Sequence, residues 1–412
     1  LQINGFGWIV RYLCVALLLA FSPAFAHGQS FDLLGKKKRV YMPFTTIRNM
    51  VIVKMSINDK GPFNFVLDTG VGIMLITEPR LVDSLNLATK HLLKIYGLNG
   101  ESFDAYITPP LKLDMPNIQS TSVQAAILKD DQFGLSNYAG MPIHGLLGYD
   151  FFNNLAVRFN FYDSTLVISK PKHVRLLSKG IKIPLSIEDK KPYIYTNVKM
   201  ADGSVQTKKL LVDIGAGHPL SIENSLESEG MPQNFIAGNL GLGITGPITG
   251  YISRIKEIDL GKYKIKDPIT SFPDQESLKK ALPLTPRDGN MGIGILRRFT
   301  MIIDYTNGAM YLKKGIDMDE PFEHDMSGIE YFFIGNDYSN LVVGRVEPGS
   351  AADAVGMKPK DEILAINFKP VDKLTIDQID NLFKSKDGRN LLLEVYRNKE
   401  YIKVLLTLRK RI

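Results

Sequence analysis

The sequence predicts a mainly β protein: two β lobes related by a pseudo-twofold axis, followed by a small α+β module. Three observations lead there. A stretch of domain length repeats at a nearly constant offset, each copy consists of short apolar or alternating runs broken by Gly, Pro, Asn and Asp, and the pattern changes after about residue 325. With 412 residues, 44% apolar and 23% charged, the chain can bury two or three cores, which excludes a disordered or collagen-like protein.

At the N-terminus, Tyr12 to Phe21 is almost entirely apolar, follows Arg11, and leads through Ser22 and Pro23 to Ala24-Phe25-Ala26, a small-x-small cleavage site. Residues 1–26 read as a secretory signal peptide cleaved after Ala26, which predicts a secreted or periplasmic mature chain. The apolar stretch is shorter than the roughly 20 residues of a membrane helix, and no later segment offers as many, so no stable membrane span is expected. Cys14, the only cysteine, lies inside this segment. A mature chain without it has no disulfide framework, no zinc finger or iron-sulfur cluster, and no thiol chemistry. Residues 27–39, with the basic run Lys36 to Arg39, read as a solvated linker. The formal charge of +7 is spread thinly, so nucleic acid is not an expected partner.

The repeat follows. Phe65-Val66-Leu67-Asp68-Thr69-Gly70 recurs as Leu210-Leu211-Val212-Asp213-Ile214-Gly215, an offset of 145 (213 − 68). Gly145-Leu146-Leu147-Gly148 meets Gly289-Asn290-Met291-Gly292 at 144 (292 − 148), and the stretch from Leu155 to Ile168 meets Phe299 to Leu312. A short helix is expected after each glycine landmark, around Asp150 to Leu155 and Ile293 to Phe299. Pro184 lies between the copies, which gives lobes at 40–178 and 179–318.

An Asp ending a buried apolar run, followed at once by a Gly turn, is a costly place for a carboxylate unless it has partners or a task. If the halves pack about a twofold axis, Asp68 and Asp213 meet there. Two close carboxylates cannot both ionise easily and share one proton. Such a pair can hold a water, the ionised member taking its proton while the protonated member polarises a substrate carbonyl.

On these residues both copies resemble lobes of a retropepsin-like aspartic protease, fused in one chain as in pepsin-like enzymes, over roughly residues 40 to 315. In that family an apolar-apolar-Asp-Thr/Ser-Gly turn supplies each catalytic Asp, and a downstream apolar-apolar-Gly segment packs beside it. Asp68-Thr69-Gly70 with Leu146-Leu147-Gly148 matches in full; Asp213-Ile214-Gly215 with Asn290-Met291-Gly292 matches in part. The resemblance implies a catalytic pair, Asp68 and Asp213, supported by Thr69, Gly70, Ile214, Gly215, Gly148 and Gly292, with no metal or other cofactor. It also implies a hairpin covering the cleft, at the turns near Tyr96 to Gly100 and Gly241 to Gly250. Ile214 departs from the pattern: it lacks the hydroxyl with which the family braces the opposite loop.

The last 85 or so residues, 325–412, carry Val346-Glu347-Pro348-Gly349-Ser350-Ala351-Ala352, Gly356-Met357-Lys358-Pro359-Lys360-Asp361 and Ile363-Leu364-Ala365-Ile366-Asn367. Ser350 can cap a short helix that Gly356 stops, Thr375 and Gln378 form a capping box for a helix through Phe383, and Leu391 to Tyr396 and Tyr401 to Leu408 read as closing strands. The series resembles a PDZ domain of the bacterial type. That resemblance implies binding of an extended peptide as an added strand, its C-terminal carboxylate held by backbone amides between Ser327 and Tyr331.

Other signals are set aside. Gly241-Leu242-Gly243-Ile244-Thr245-Gly246 spells a dinucleotide-binding pattern but has Pro247 and Gly250 directly after it instead of a helix. His27, His91, His144, His173, His218 and His324 have no metal-ligand spacing, and only His218, five residues after Asp213, is near enough to tune the cleft. No nucleophilic-serine motif is present. The expected function is a metal-independent aspartic endopeptidase acting on polypeptides, needing no homodimer, with a PDZ domain that binds peptide or substrate. The alternative is a catalytically weak or inactive peptide-binding protein of the same fold.

Overall fold

A computed structural model describes residues 30–87, 91–96, 102–131, 133–223, 232, 234–243, 246–276 and 285–412. The apolar N-terminal segment, with Cys14 and the cleavage site after Ala26, lies outside the described residues. So do residues 97–101 and 244–245, on which the expected hairpin turns fall.

The repeat in sequence is a repeat in topology. In the first half Met50–Ile57 and Lys60–Leu67 form an antiparallel pair that delivers the chain to Asp68. Gly145–Leu147 lies parallel to Lys60–Leu67, with Leu147 opposite Leu67, and antiparallel to Met74–Ile76. Ala125–Leu128 runs parallel to Met74–Ile76, and the hairpin His91–Tyr96/Ser102–Ile107 continues the sheet. The second half repeats each relation: Val205–Asp213 leads to the turn, Gly289–Gly292 lies parallel to it and antiparallel to Leu220–Ile222, and Ile269–Pro273 runs parallel to Leu220–Ile222. The hairpin Ile236–Gly243/Gly246–Arg254 completes that sheet. Met74–Ile76 is buried on both faces, which is why it reads as a continuous apolar run without alternation; its counterpart Leu220–Ile222 is likewise buried throughout, with Ser221 at its centre.

A six-stranded sheet joins the halves. Its order is Ile181–Pro184, Ala309–Lys314, Phe299–Asp304, Ala156–Asn160, Thr165–Ser169, Arg39–Pro43. At its centre Arg158 faces Ile302, its own repeat mate, so the pseudo-twofold axis passes between the antiparallel pair Ala156–Asn160 and Phe299–Asp304. A single apolar core runs through both lobes. The two expected helices are present as single turns, Tyr149–Phe152 and Ile293–Leu296.

Part of the expected linker is structural. Phe31 is fully buried against Phe151, with ring centroids 5.5 Å apart, and Asp32–Leu33 pairs with Ile118–Val123, while Lys36 to Lys38 are exposed. Two residues are too few to show a period, so burial of one aromatic ring decides the matter.

The C-terminal module has its own core and a sheet ordered Ile329–Ile334, Asn340–Val346, Glu362–Ile366, Asn390–Arg397, Glu400–Thr407. Ser350 caps Ala351–Ala354 by accepting from the Asp353 amide, and both halves of the Thr375–Gln378 capping box are formed on the helix Ile376–Phe383. Among the described residues no helix is long and apolar enough to cross a membrane.

Candidate active site

The parallel pairs Gly145–Leu147 with Lys60–Leu67 and Gly289–Gly292 with Val205–Asp213 end at the same level, and there both Asp turns meet across the axis. Gly148 and Gly292 permit the close packing. A side-chain carbon on Gly148 would lie 2.0 Å from the Val71 carbonyl oxygen, and one on Gly292 2.0 Å from that of His218. Gly215 does the same for the carboxyl itself: a Cβ there would stand 2.2 Å from Asp68 Cγ. At Gly70 the added carbon would be 3.0 Å from Asp68 Oδ1 and 3.1 Å from Asp213 Oδ2, so one turn sees both carboxyls.

The turns are braced asymmetrically. Thr69, fully buried, donates its hydroxyl to the Val212 carbonyl at 2.6 Å and accepts from the Ile214 amide at 3.0 Å. The reciprocal hydroxyl is absent because Ile214 stands there, fully buried in the interlobe core. Asp68 Oδ1 accepts from the Gly70 amide at 2.7 Å. Asp213 has more donors: the amides of Gly215 at 2.9 Å and Ala216 at 3.1 Å on Oδ1, and Asn290 Nδ2 at 3.4 Å on Oδ2. His218 Nε2, 2.5 Å from Asn290 Oδ1, donates to it and orients the carboxamide.

These contacts separate the two carboxyls. Donors to an anion favour ionisation and burial opposes it. Burial first, then the neighbouring charge of Asp213, raises Asp68 well above the usual carboxylate range, and the two side chains hydrogen-bond to each other. Three donors reach Asp213, and one backbone amide reaches Asp68.

Several neighbours escaped the sequence reading. Lys191 stands beside the pair: burial and Arg287 hold it below the usual lysine range, against the pull of Asp213 and Asp68. Arg287 pairs with Glu223 at 2.8 Å, both side chains being largely buried. Tyr305 Oη is buried without a hydrogen-bond partner among the described residues, and burial followed by Asp68 and Asp213 pushes its hydroxyl well above the usual range. None of these left a trace in the sequence, whereas Asn290 did, as the polar residue in an apolar-apolar-Gly slot.

Each lobe also lends a two-residue left-handed turn to the opposite Asp loop. Arg48 and Asn49 have φ of 46° and 65°, and Asn49 donates to the Gly217 carbonyl at 2.8 Å. Asp189 and Lys190, with φ of 46° and 66°, sit correspondingly beside Gly72. A hairpin is present on each lobe between the strands that flank the expected turns.

In the C-terminal module, the amides of Ser327 and Gly328, in the stretch expected to hold a ligand carboxylate, are engaged within the domain. Asp325 Oδ1 accepts from the Ser327 amide at 3.0 Å, the Ser327 hydroxyl at 2.8 Å and the Gly328 amide at 2.7 Å.

Comparison with known families agrees with this architecture. Residues 53–151 match the sequence model of the aspartyl protease family, and residues 342–397 match that of the PDZ domain. No curated protein matches the chain. The first match spans the Asp68 turn through Gly148, and the second runs from within Asn340–Val346 to the end of Asn390–Arg397 and takes in the helix Ile376–Phe383, so the chain joins an aspartyl protease domain of the retropepsin-like kind to a C-terminal PDZ domain.

Proposed function

We propose that the protein is an aspartic endopeptidase in which Asp68 and Asp213 activate water against a peptide bond. The observation that carries this reading is the meeting of both Asp turns across the axis, with Gly215 leaving room for the Asp68 carboxyl. In the resting pair Asp213, held by three donors, is the ionised base, and Asp68 carries the proton. Asp213 takes a proton from the attacking water as its oxygen bonds to the carbonyl carbon, and Asp68 donates its proton to the carbonyl oxygen. Collapse of the tetrahedral intermediate returns a proton from Asp213 to the leaving amine and one from the intermediate to Asp68, so the pair ends as it began. The apparent titration values belong to the pair as a unit.

The test is digestion of a peptide library across pH by the full chain and by Asp68→Asn and Asp213→Asn. Each substitution should remove nearly all cleavage without unfolding the protein, because the residues act as one unit. Chelators should leave the rate unchanged. Cleavage that survives in either variant would overturn the assignment. The second reading, peptide binding with little hydrolysis, is favoured by one observation, the missing hydroxyl at Ile214, and predicts library peptides bound but intact. The signal-like segment supports secretion or a periplasmic location, which N-terminal sequencing of the mature protein would test: a first residue other than His27 overturns the cleavage site.

A further inference from the structure

A buried, heavily coordinated charge lies between two domains, away from the dyad, at Arg48. Its side chain, 5% exposed, reaches out of the first lobe into the PDZ domain. Nη1 donates to the Tyr331 carbonyl at 3.0 Å and to the Tyr138 carbonyl at 3.1 Å. The guanidinium lies 4.1 Å from the Tyr331 ring centroid and 4.5 Å from that of Tyr138, and Nε is 3.6 Å from Asp380 Oδ2. Tyr331 Oη in turn donates to Asp380 Oδ1 at 2.6 Å.

The place matters as much as the contacts. Tyr331 belongs to Ile329–Ile334, the outer strand of the PDZ sheet, and Asp380 to the helix Ile376–Phe383. The space between an open strand edge and a helix is where an extended peptide adds to such a domain. Here the helix Leu135–Ala139 of the first lobe packs on that strand. Gly140, with φ +61°, lets the backbone come so close that a Cβ would lie 2.9 Å from Ile376 Cδ1 and 3.0 Å from Phe333 Cδ2. A terminal carboxylate would find the amides of Ser327 and Gly328 already given to Asp325.

We propose that the PDZ groove recognises an arginine side chain within an extended peptide, and that Arg48 of the protease lobe fills this groove in cis until such a peptide replaces it. Three features of the pocket suit a guanidinium together: an aromatic face, a carboxylate, and a backbone carbonyl within hydrogen-bond reach. An ammonium is a compact point charge and satisfies fewer of them at once. An apolar side chain would leave Asp380 without its cation, a loss that discriminates against it.

The experiment uses the full chain carrying Asp68→Asn, so that bound peptides stay intact, and reads fluorescence anisotropy. Short labelled peptides of Thr and Val differ only in a central Arg, Lys or norleucine. These three are C-terminally amidated, and a fourth, a norleucine peptide, keeps its free C-terminal carboxylate. Adding Arg48→Ala should tighten the Arg peptide by about tenfold or more and leave the amidated norleucine peptide weak, with Lys between them; further adding Asp380→Asn should erase the preference. Gly140→Ala is a second route, since it pushes the lobe off and changes no residue of the PDZ domain, and should give the same gain; melting curves verify that each variant folds, and Gly140→Ala decides if Arg48→Ala does not. Equal binding of all peptides, preference for the free carboxylate whatever the central residue, or no gain from opening the interface would overturn the proposal. Binding is read whether or not the dyad hydrolyses, so this failure and failure of the protease reading are separate results.

Discussion

Ile214→Thr restores the hydroxyl that the second Asp turn lacks, and the structure allows its effect to be worked out. Ile214 is fully buried within the interlobe core, beside a turn already tied across the axis by both hydrogen bonds of Thr69. The exchange removes two carbons' worth of buried hydrocarbon, about 1.6 kcal/mol at roughly 0.8 per methylene. It also buries a hydroxyl, which costs about 1 to 3 kcal/mol if unpartnered and returns about 1 kcal/mol if it bonds across. Packing predicts a net loss of about 3 to 5 kcal/mol; a restored brace predicts a loss below about 1. At roughly 2 to 4 °C per kcal/mol, the packing account lowers the melting temperature by several degrees, and turnover falls as the Asp213 carboxyl shifts. Thermal melts together with kcat/KM on a fluorogenic peptide distinguish the two accounts. Ile214→Val, which trims one methylene and adds no hydroxyl, should cost about 0.5 to 1.5 kcal/mol and isolates the hydroxyl's share. An Ile214→Thr protein both more stable and faster than the parent would refute the packing account.

Three further outcomes are expected. Asp68 keeps its proton to higher pH when folded than its ordinary value of 3.8 allows, so its contribution is fully present below that value and lost as pH rises towards the folded value. Asp68→Asn should therefore melt above wild type near pH 7 and converge with it below pH 4, and a difference independent of pH would contradict the assignment. Gly215→Ala puts a carbon 2.2 Å from Asp68 Cγ and must displace the carboxyl by about 1 Å or more, so kcat/KM should fall about a hundredfold or more; a change within threefold would mean that the turn yields freely. Asn290→Leu copies Leu146 of the first lobe and deletes the donor to Asp213 Oδ2, so the acid limb of the pH–rate profile should move to higher pH, whereas an unmoved limb would show the contact is idle.

What could be read from the chain beforehand follows from the kind of constraint involved. Asp68, Asp213, Gly148 and Gly292 are visible because each turn tolerates few residue types, and the repeat states each constraint twice. The capping box at Thr375 is visible because its two partners are three residues apart. Lys191 and Tyr305 become neighbours of the dyad only through the folded sheet, and an ordinary lysine or tyrosine carries no mark of it. Arg48 meets Tyr331 across 283 positions, and such a long-range contact leaves no local pattern in either segment.

The six-stranded sheet between the lobes sets an order of assembly. Its central pair needs Phe299–Asp304, and its outer strands come from Arg39–Pro43 near one end of the chain and Ile181–Pro184 in the middle. A ribosome that has reached the Asn290 codon has made both aspartates but not the strand on which the twofold axis rests. The nascent chain thus carries two separated carboxyls with no floor to hold them face to face. The carboxyls are brought face to face only when residues 299–314 emerge and the two halves close on each other.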